Sequence, residues 1–161
     1  MEFWDAYDEK SNKIDGVTLI RGEQIPDNCF HLVSEIIVKH RDGSYLIMQR
    51  DKRKHLGGMW EATAGGSALQ GESPESCARR ELFEETGIIS ENPIEIGRVL
   101  HRGHKTFYVA YLCITDADKN SIILQEGETA DYKWVTADEL RKLPKDELAS
   151  QRILNFVEEL N

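Results

Sequence analysis

The stretch "GGSALQGESPESCARRELFEETGI", Gly65 to Ile88, decides how this chain is read. It holds Glu72, Glu75, Glu81, Glu84 and Glu85. Ser73 can cap a helix, Pro74 suits its first turn, and Gly87 can stop it just past Thr86. At ~100° per residue, Glu81, Glu84 and Glu85 share an arc of about 100°. Ala78 and Leu82 point to one flank, and Phe83 lies further round. Like charges at this spacing destabilise a helix by ~0.2–0.5 kcal/mol per pair. Arg80 stands four residues before Glu84 and can pair with it. One guanidinium cannot neutralise three carboxylates. A solvated acidic face tolerates such a cluster, whereas a divalent-cation site requires it. Mg2+ takes carboxylate oxygen and water, and shares its shell with substrate phosphates. It can also turn bound water into a nucleophile at neutral pH.

Around this stretch the chain reads as one domain of 161 residues, long enough to bury a core. A net charge of −9 argues against a general nucleic-acid or membrane-surface binder. No apolar run is long enough to span a bilayer. "MEFWDAYDEK" has neither the basic nor the apolar region of a signal peptide, so a cytoplasmic location is expected. Cys29, Cys77 and Cys113 are widely spaced and read as reduced structural thiols, and no ordinary zinc motif is present.

Upstream, "FWDAY" and "GVTLI" suggest an N-terminal hairpin within residues 1–29. "FHLVSEIIVKH" and "YLIMQR" read as strands joined by the tight turn "RDGS". "DKRKHLGGM" reads as a loop and "WEATAGG" as one short strand. Downstream, "PIEIGRVLHR" and "KTFYVAYLCIT" read as strands turning near Gly103, and "YKWV" as a short strand. Thr136 caps a helix interrupted at Pro144. A last helix is expected from about Glu147 to Leu160, with Leu148, Ile153, Leu154, Val157 and Leu160 on its apolar side. Strands mixed with a few helices and joined mostly by hairpins indicate α/β layers around a mixed sheet.

The spacing Gly66, Glu72, Arg80-Glu81-Leu82, Glu84-Glu85, Gly87-Ile88 resembles the Nudix box at each defining position. The resemblance extends from about Phe30 to Leu160. It implies an α/β/α sandwich around a mixed β-sheet, with the hairpin as an addition. It also implies Mg2+- or Mn2+-dependent hydrolysis of a diphosphate linked to a group X, on a small nucleotide-derived substrate, by a homodimer. Carried onto this chain, Glu81 and Glu85 are the main metal ligands, with Glu84 sharing a further ion. The carbonyl of Gly65 adds an oxygen, Arg80 orients the carboxylates, and Glu72 supports the loop. A general base often comes from a later loop in this family, and Glu128 in "EGETADYKWV" is the candidate, with Glu126 second.

Arg50 and Arg53, in the basic run "QRDKRKHLGG", are candidate phosphate-binding residues. Trp60 and Trp134 read as core, and His31, His101 and His104 as structural or surface histidines. Two other functions compete with hydrolysis. The hairpin, "FHLVSEIIV" and "GGMWEATAGGSALQGES" also resemble isopentenyl-diphosphate isomerase, a Nudix relative. Ungapped alignment places that enzyme's active-site cysteine at Gly65, one histidine ligand at Ser67 and another at Gln24; only His31 is retained. Glycine has no acid group with which to protonate a double bond. A non-catalytic nucleotide sensor would be expected to have lost box glutamates, and this chain has lost none.

Overall fold

The computed structural model describes residues 1–159. The N-terminal segment folds as expected. Strand β1 (Phe3–Tyr7) pairs antiparallel with β2 (Lys13–Ile20) in a two-stranded sheet of their own. Trp4, Ala6 and Leu19 form its small core, so Trp4 is buried inside the hairpin.

The central sheet is mixed. Strand β3 (His31–His40) runs parallel to β8 (Thr106–Thr115), whose other edge pairs antiparallel with β7 (Ile94–His101). The turn at Asp42-Gly43 sends the chain into β4 (Tyr45–Arg50), and Gly43 takes φ 94° there. β3 and β4 are in register only at Lys39 and Tyr45, and then part. The vacated edge of β3 is filled by β6 (Thr63–Ser67), while β4 pairs with β5 (Trp60–Glu61) and β9 (Thr129–Val135). The single strand expected over "WEATAGG" is therefore two, split at Ala62 to serve two partners. The strand expected at "YKWV" starts earlier, at Thr129.

Side chains alternate across this sheet with period two. Leu32, Ile36 and Val38 of β3, Leu46 and Met48 of β4, and Phe107, Val109 and Tyr111 of β8 face one core. Helix α1 (Pro74–Thr86) covers it with Cys77, Ala78 and Leu82. Ile37, Tyr45, Ile47, Ala110 and Leu112 face the opposite core, covered by Leu140 of α2 (Ala137–Lys142) and Val157 of α3 (Arg152–Glu159). The result is an α/β/α sandwich. Trp60 and Trp134 pack against these cores and are half-buried.

The last helix begins at Arg152, not Glu147. Glu147 closes a turn, and Leu148 forms an isolated parallel bridge to Trp60 of β5. The Trp60 N–H donates to the Glu147 carbonyl over 2.7 Å, and the Ala149 N–H to the Trp60 carbonyl over 2.9 Å. Leu148, Leu154 and Val157 pack inward as expected. Leu160 and the side chain of Ile153 lie outside the described residues. No helix among the described residues is long and apolar enough to cross a membrane.

Candidate active site

Helix α1 is held at both ends. The Ser73 hydroxyl accepts from the Ser76 N–H over 3.1 Å, and Gly87 ends the helix at φ 75° with its N–H on the Phe83 carbonyl. Its apolar flank packs on the sheet, which points Glu81 and Glu85 at the glycines closing β6. The contact is close. A Cβ on Gly66 would lie 2.4 Å from Glu81 Oε1, and one on Gly65 would lie 2.4 Å from the Ser34 carbonyl oxygen. At Gly65 the obstacle is fixed backbone, so the position requires glycine for lack of room, whereas at Gly66 it is the end of a side chain.

Arg80 is the hub of the carboxylates. Its Nε and Nη2 donate to the two oxygens of Glu72 over 2.9 and 3.0 Å. Its Nη1 donates to Glu81 Oε1 over 2.6 Å and to Glu84 Oε2 over 3.3 Å, and Nη2 also reaches the Ser67 carbonyl. Such charge-assisted bonds are among the strongest in proteins. Glu72 also accepts from the Leu69 N–H, which ties the loop to the helix. Glu85 is buried, and among the described residues its one hydrogen-bonding contact is a long one, 3.3 Å from the Gly65 N–H. Burial, with Glu81 and Glu61 nearby, pushes its carboxyl up to about 8. Burial also raises Glu81, against the pull of Arg80.

Arg80, Glu81, Glu84 and Glu85 line a cavity of about 340 Å³ with Gly65, Gly66, Lys54, Gln125 and Glu128. A smaller cavity of about 80 Å³ opens where β3 and β4 part, and shares Lys54, Gly65, Glu85 and Glu128 with the first. The candidate base Glu128 is at this junction, ion-paired with Lys54. Arg50 lines the smaller cavity, where its Nη1 donates to Glu61 Oε1 over 2.6 Å. Arg53 lies outside both cavities, forked onto Asp51 at 2.8 and 2.9 Å and largely exposed. His31 stacks on Trp4 with ring centroids 4.5 Å apart. Its Nδ1 lies 3.2 Å from the Lys105 carbonyl and 3.1 Å from the Thr106 hydroxyl.

A model of the NUDIX domain family matches residues 30–156, which include the whole glutamate helix and both strands beside it. The chain belongs to the Nudix family. An uncharacterized Nudix hydrolase of Listeria monocytogenes, lmo0368, is 33% identical over 89% of this chain and 85% of its own length. The NAD-capped RNA hydrolase NudC of Haemophilus influenzae is 31% identical over 78% of this chain, which spans about half of that relative, 47%. Among solved structures, DR0079 from Deinococcus radiodurans superposes with a TM-score of 0.77 at 18% identity, covering 98% of both chains. The NUDIX domain of Shewanella oneidensis NrtR, solved with ADP ribose, gives a TM-score of 0.65 at 19% identity, over 81% of this chain and 86% of that one. The domain match and these hydrolase relatives together support a pyrophosphohydrolase.

Nudix enzymes generally use divalent metals. Among the described residues, no three acidic, histidine or cysteine side chains converge closely enough to hold an ion as they stand, and Arg80 is paired with Glu72, Glu81 and Glu84. The donor chemistry nonetheless fits a hard dication. It is all oxygen, and the buried, poorly paired Glu85 is a group that a dication would relieve. Glu35, Glu61, Lys54 and Arg152 were missing from the expected site. Glu35 and Glu61 line the smaller cavity, and Arg152 of α3 pairs with Glu35. Lys54 stands in the basic run already noted in the sequence. The Glu35–Arg152 pair spans 117 residues and carries no local signal.

Proposed function

We propose that this Nudix protein is a Mg2+- or Mn2+-dependent hydrolase that cleaves the diphosphate linkage of a small nucleotide-derived substrate. The observation that carries this is that Glu81, Glu84 and Glu85 of one helix line a single polar cavity together with Gly65 and Gly66. Glu81 and Glu85 would hold the cation, with Glu84 and the Gly65 carbonyl as further oxygens. When bound, the metal supplies charge for the diphosphate and lowers the pKa of an attacking water. Arg80 fixes where the carboxylates stand, and Glu72 fixes Arg80. Glu128, at the junction of the two cavities and paired with Lys54, would serve as the proton acceptor. Of the two arginines, Arg50 would be the one to meet a phosphate, since it lines the smaller cavity and Arg53 lines neither.

Cytoplasmic location, a homodimer and a single domain with an added hairpin belong to the same reading. The isomerase alternative lacks an acid at Gly65, and His31 is committed to Trp4, Lys105 and Thr106. The test is a substrate panel with Mg2+ and product identification: nucleoside triphosphates, nucleotide sugars, ADP-ribose, dinucleotides and coenzyme A derivatives. Glu85→Gln should lower turnover by at least about 100-fold while circular dichroism stays native. An unchanged rate removes Glu85 from the mechanism.

A further inference from the structure

The hairpin reaches the active-site cavity. Glu2 and Arg21 line it together with Arg80, Glu81, Glu84 and Glu85. They belong to the part of the cavity not shared with its smaller neighbour, away from the Lys54 and Glu128 junction. The hairpin is tied to the glutamate loop by three bonds. The Gln70 N–H donates to the Phe3 carbonyl over 2.9 Å, the Gln70 amide to the Thr18 hydroxyl over 2.9 Å, and the Gly71 N–H to Asp5 Oδ2 over 2.8 Å.

Arg21 is also supported from behind. Its Nη1 donates to Glu2 Oε2 over 3.0 Å, and its backbone N–H to the Glu2 carbonyl over 3.0 Å. The other oxygen of Glu2 accepts from the buried Trp4 Nε1–H over 2.7 Å. A guanidinium carries five N–H donors in a planar fork. Among the described residues, Glu2 takes one of them, and the side chain is 68% exposed. The other cations of the cavity are committed, Arg80 to Glu72, Glu81 and Glu84, and Lys54 to Glu128. Arg21 is thus the cation with N–H groups to spare, on the hairpin side of the glutamates.

We infer that Arg21 is a specificity-determining residue that receives a phosphoryl group lying beyond the diphosphate bound at the glutamates. This rests on the reading of those glutamates as the diphosphate site. It selects substrates with three or more consecutive phosphoryl groups over those in which X is uncharged. Guanidinium and phosphate oxygens match as a bidentate pair, a match that an ammonium does not reproduce.

The test is calorimetric binding of α,β-methylene-ATP and α,β-methylene-ADP, with Mg2+, to wild type, Arg21→Ala and Arg21→Lys. These probes share base and sugar, so their affinity ratio isolates the extra phosphoryl group. Wild type should bind the triphosphate about 10-fold more tightly than the diphosphate. Arg21→Ala should lose that preference, with the diphosphate affinity changed less than about twofold, and Arg21→Lys should recover part of it. Equal affinities in wild type, an unchanged ratio in Arg21→Ala, or equal loss for both probes overturns the inference. Binding is read without turnover, so a wild type that binds with the expected ratio but cleaves nothing counts against the hydrolase reading alone.

Discussion

At the scale of single residues, Gly65 and Gly66 are adjacent yet should fail differently. A methyl on Gly65 meets the Ser34 carbonyl, which is backbone held in the β3–β6 ladder. Gly65→Ala should therefore cost about 2 kcal/mol of stability in a denaturant melt. A methyl on Gly66 meets the end of the Glu81 side chain, which can swing away. Gly66→Ala should keep most of the stability and lose activity by about 10-fold or more, read as kcat beside a melting curve. Matching losses for the two variants would contradict this division. Cys77 gives a third expectation. Burial pushes its thiol up to about 12, and Cys113 is raised for the same reason. Iodoacetamide on the native protein should spare both and modify at most the half-buried Cys29, as mass spectrometry would show. Rapid native labelling of Cys77 would show that the helix opens. The glutamates were legible because their reason for clustering is local to one helix. Glu35, Glu61 and Arg152 were not, because only sheet register and helix docking bring them to the cavity.

At the scale of elements, the limits of α1 could be read from Ser73, Pro74 and Gly87, since caps act within one turn. Ser73→Ala should destabilise the fold by about 1 kcal/mol, measured by urea denaturation. No loss would mean that packing alone holds the first turn. Thr136 made the start of α2 readable in the same way, and the structure adds Glu139 to it as a capping box. The start of α3 was misread for the opposite reason. Leu148 fits the apolar side of a helix, but the backbone on either side of it is bonded to Trp60, nearly ninety residues upstream. The split of "WEATAGG" into β5 and β6 likewise follows from β3 and β4 parting, which neither segment announces on its own.

At the scale of the whole molecule, two long-range ties set the shape of the cavity. Asp5 is buried and joins Lys13 at 2.9 Å to the Gly71 N–H at 2.8 Å, so the hairpin and the glutamate loop move together. Asp5→Ala should cost roughly 2 kcal/mol and raise hydrogen exchange in the hairpin and in the loop alike. Exchange confined to the hairpin would show that the tie carries no load. On the opposite side, Arg152 lies 3.8 Å over the Tyr108 ring and holds Glu35, docking α3 against the wall of the smaller cavity. Helix α1 sets Glu81, Glu84 and Glu85 at the cavity, and Arg80 pairs with Glu81 and Glu84 but leaves Glu85 to the Gly65 N–H. The most direct measurement is Mn2+ binding, followed by electron paramagnetic resonance, to wild type and to the double variant Glu81→Gln/Glu85→Gln. Wild type should take up Mn2+ in the micromolar to millimolar range, and the double variant should lose that binding while keeping its fold. Equal Mn2+ uptake by the two proteins, or none by wild type, would contradict the account.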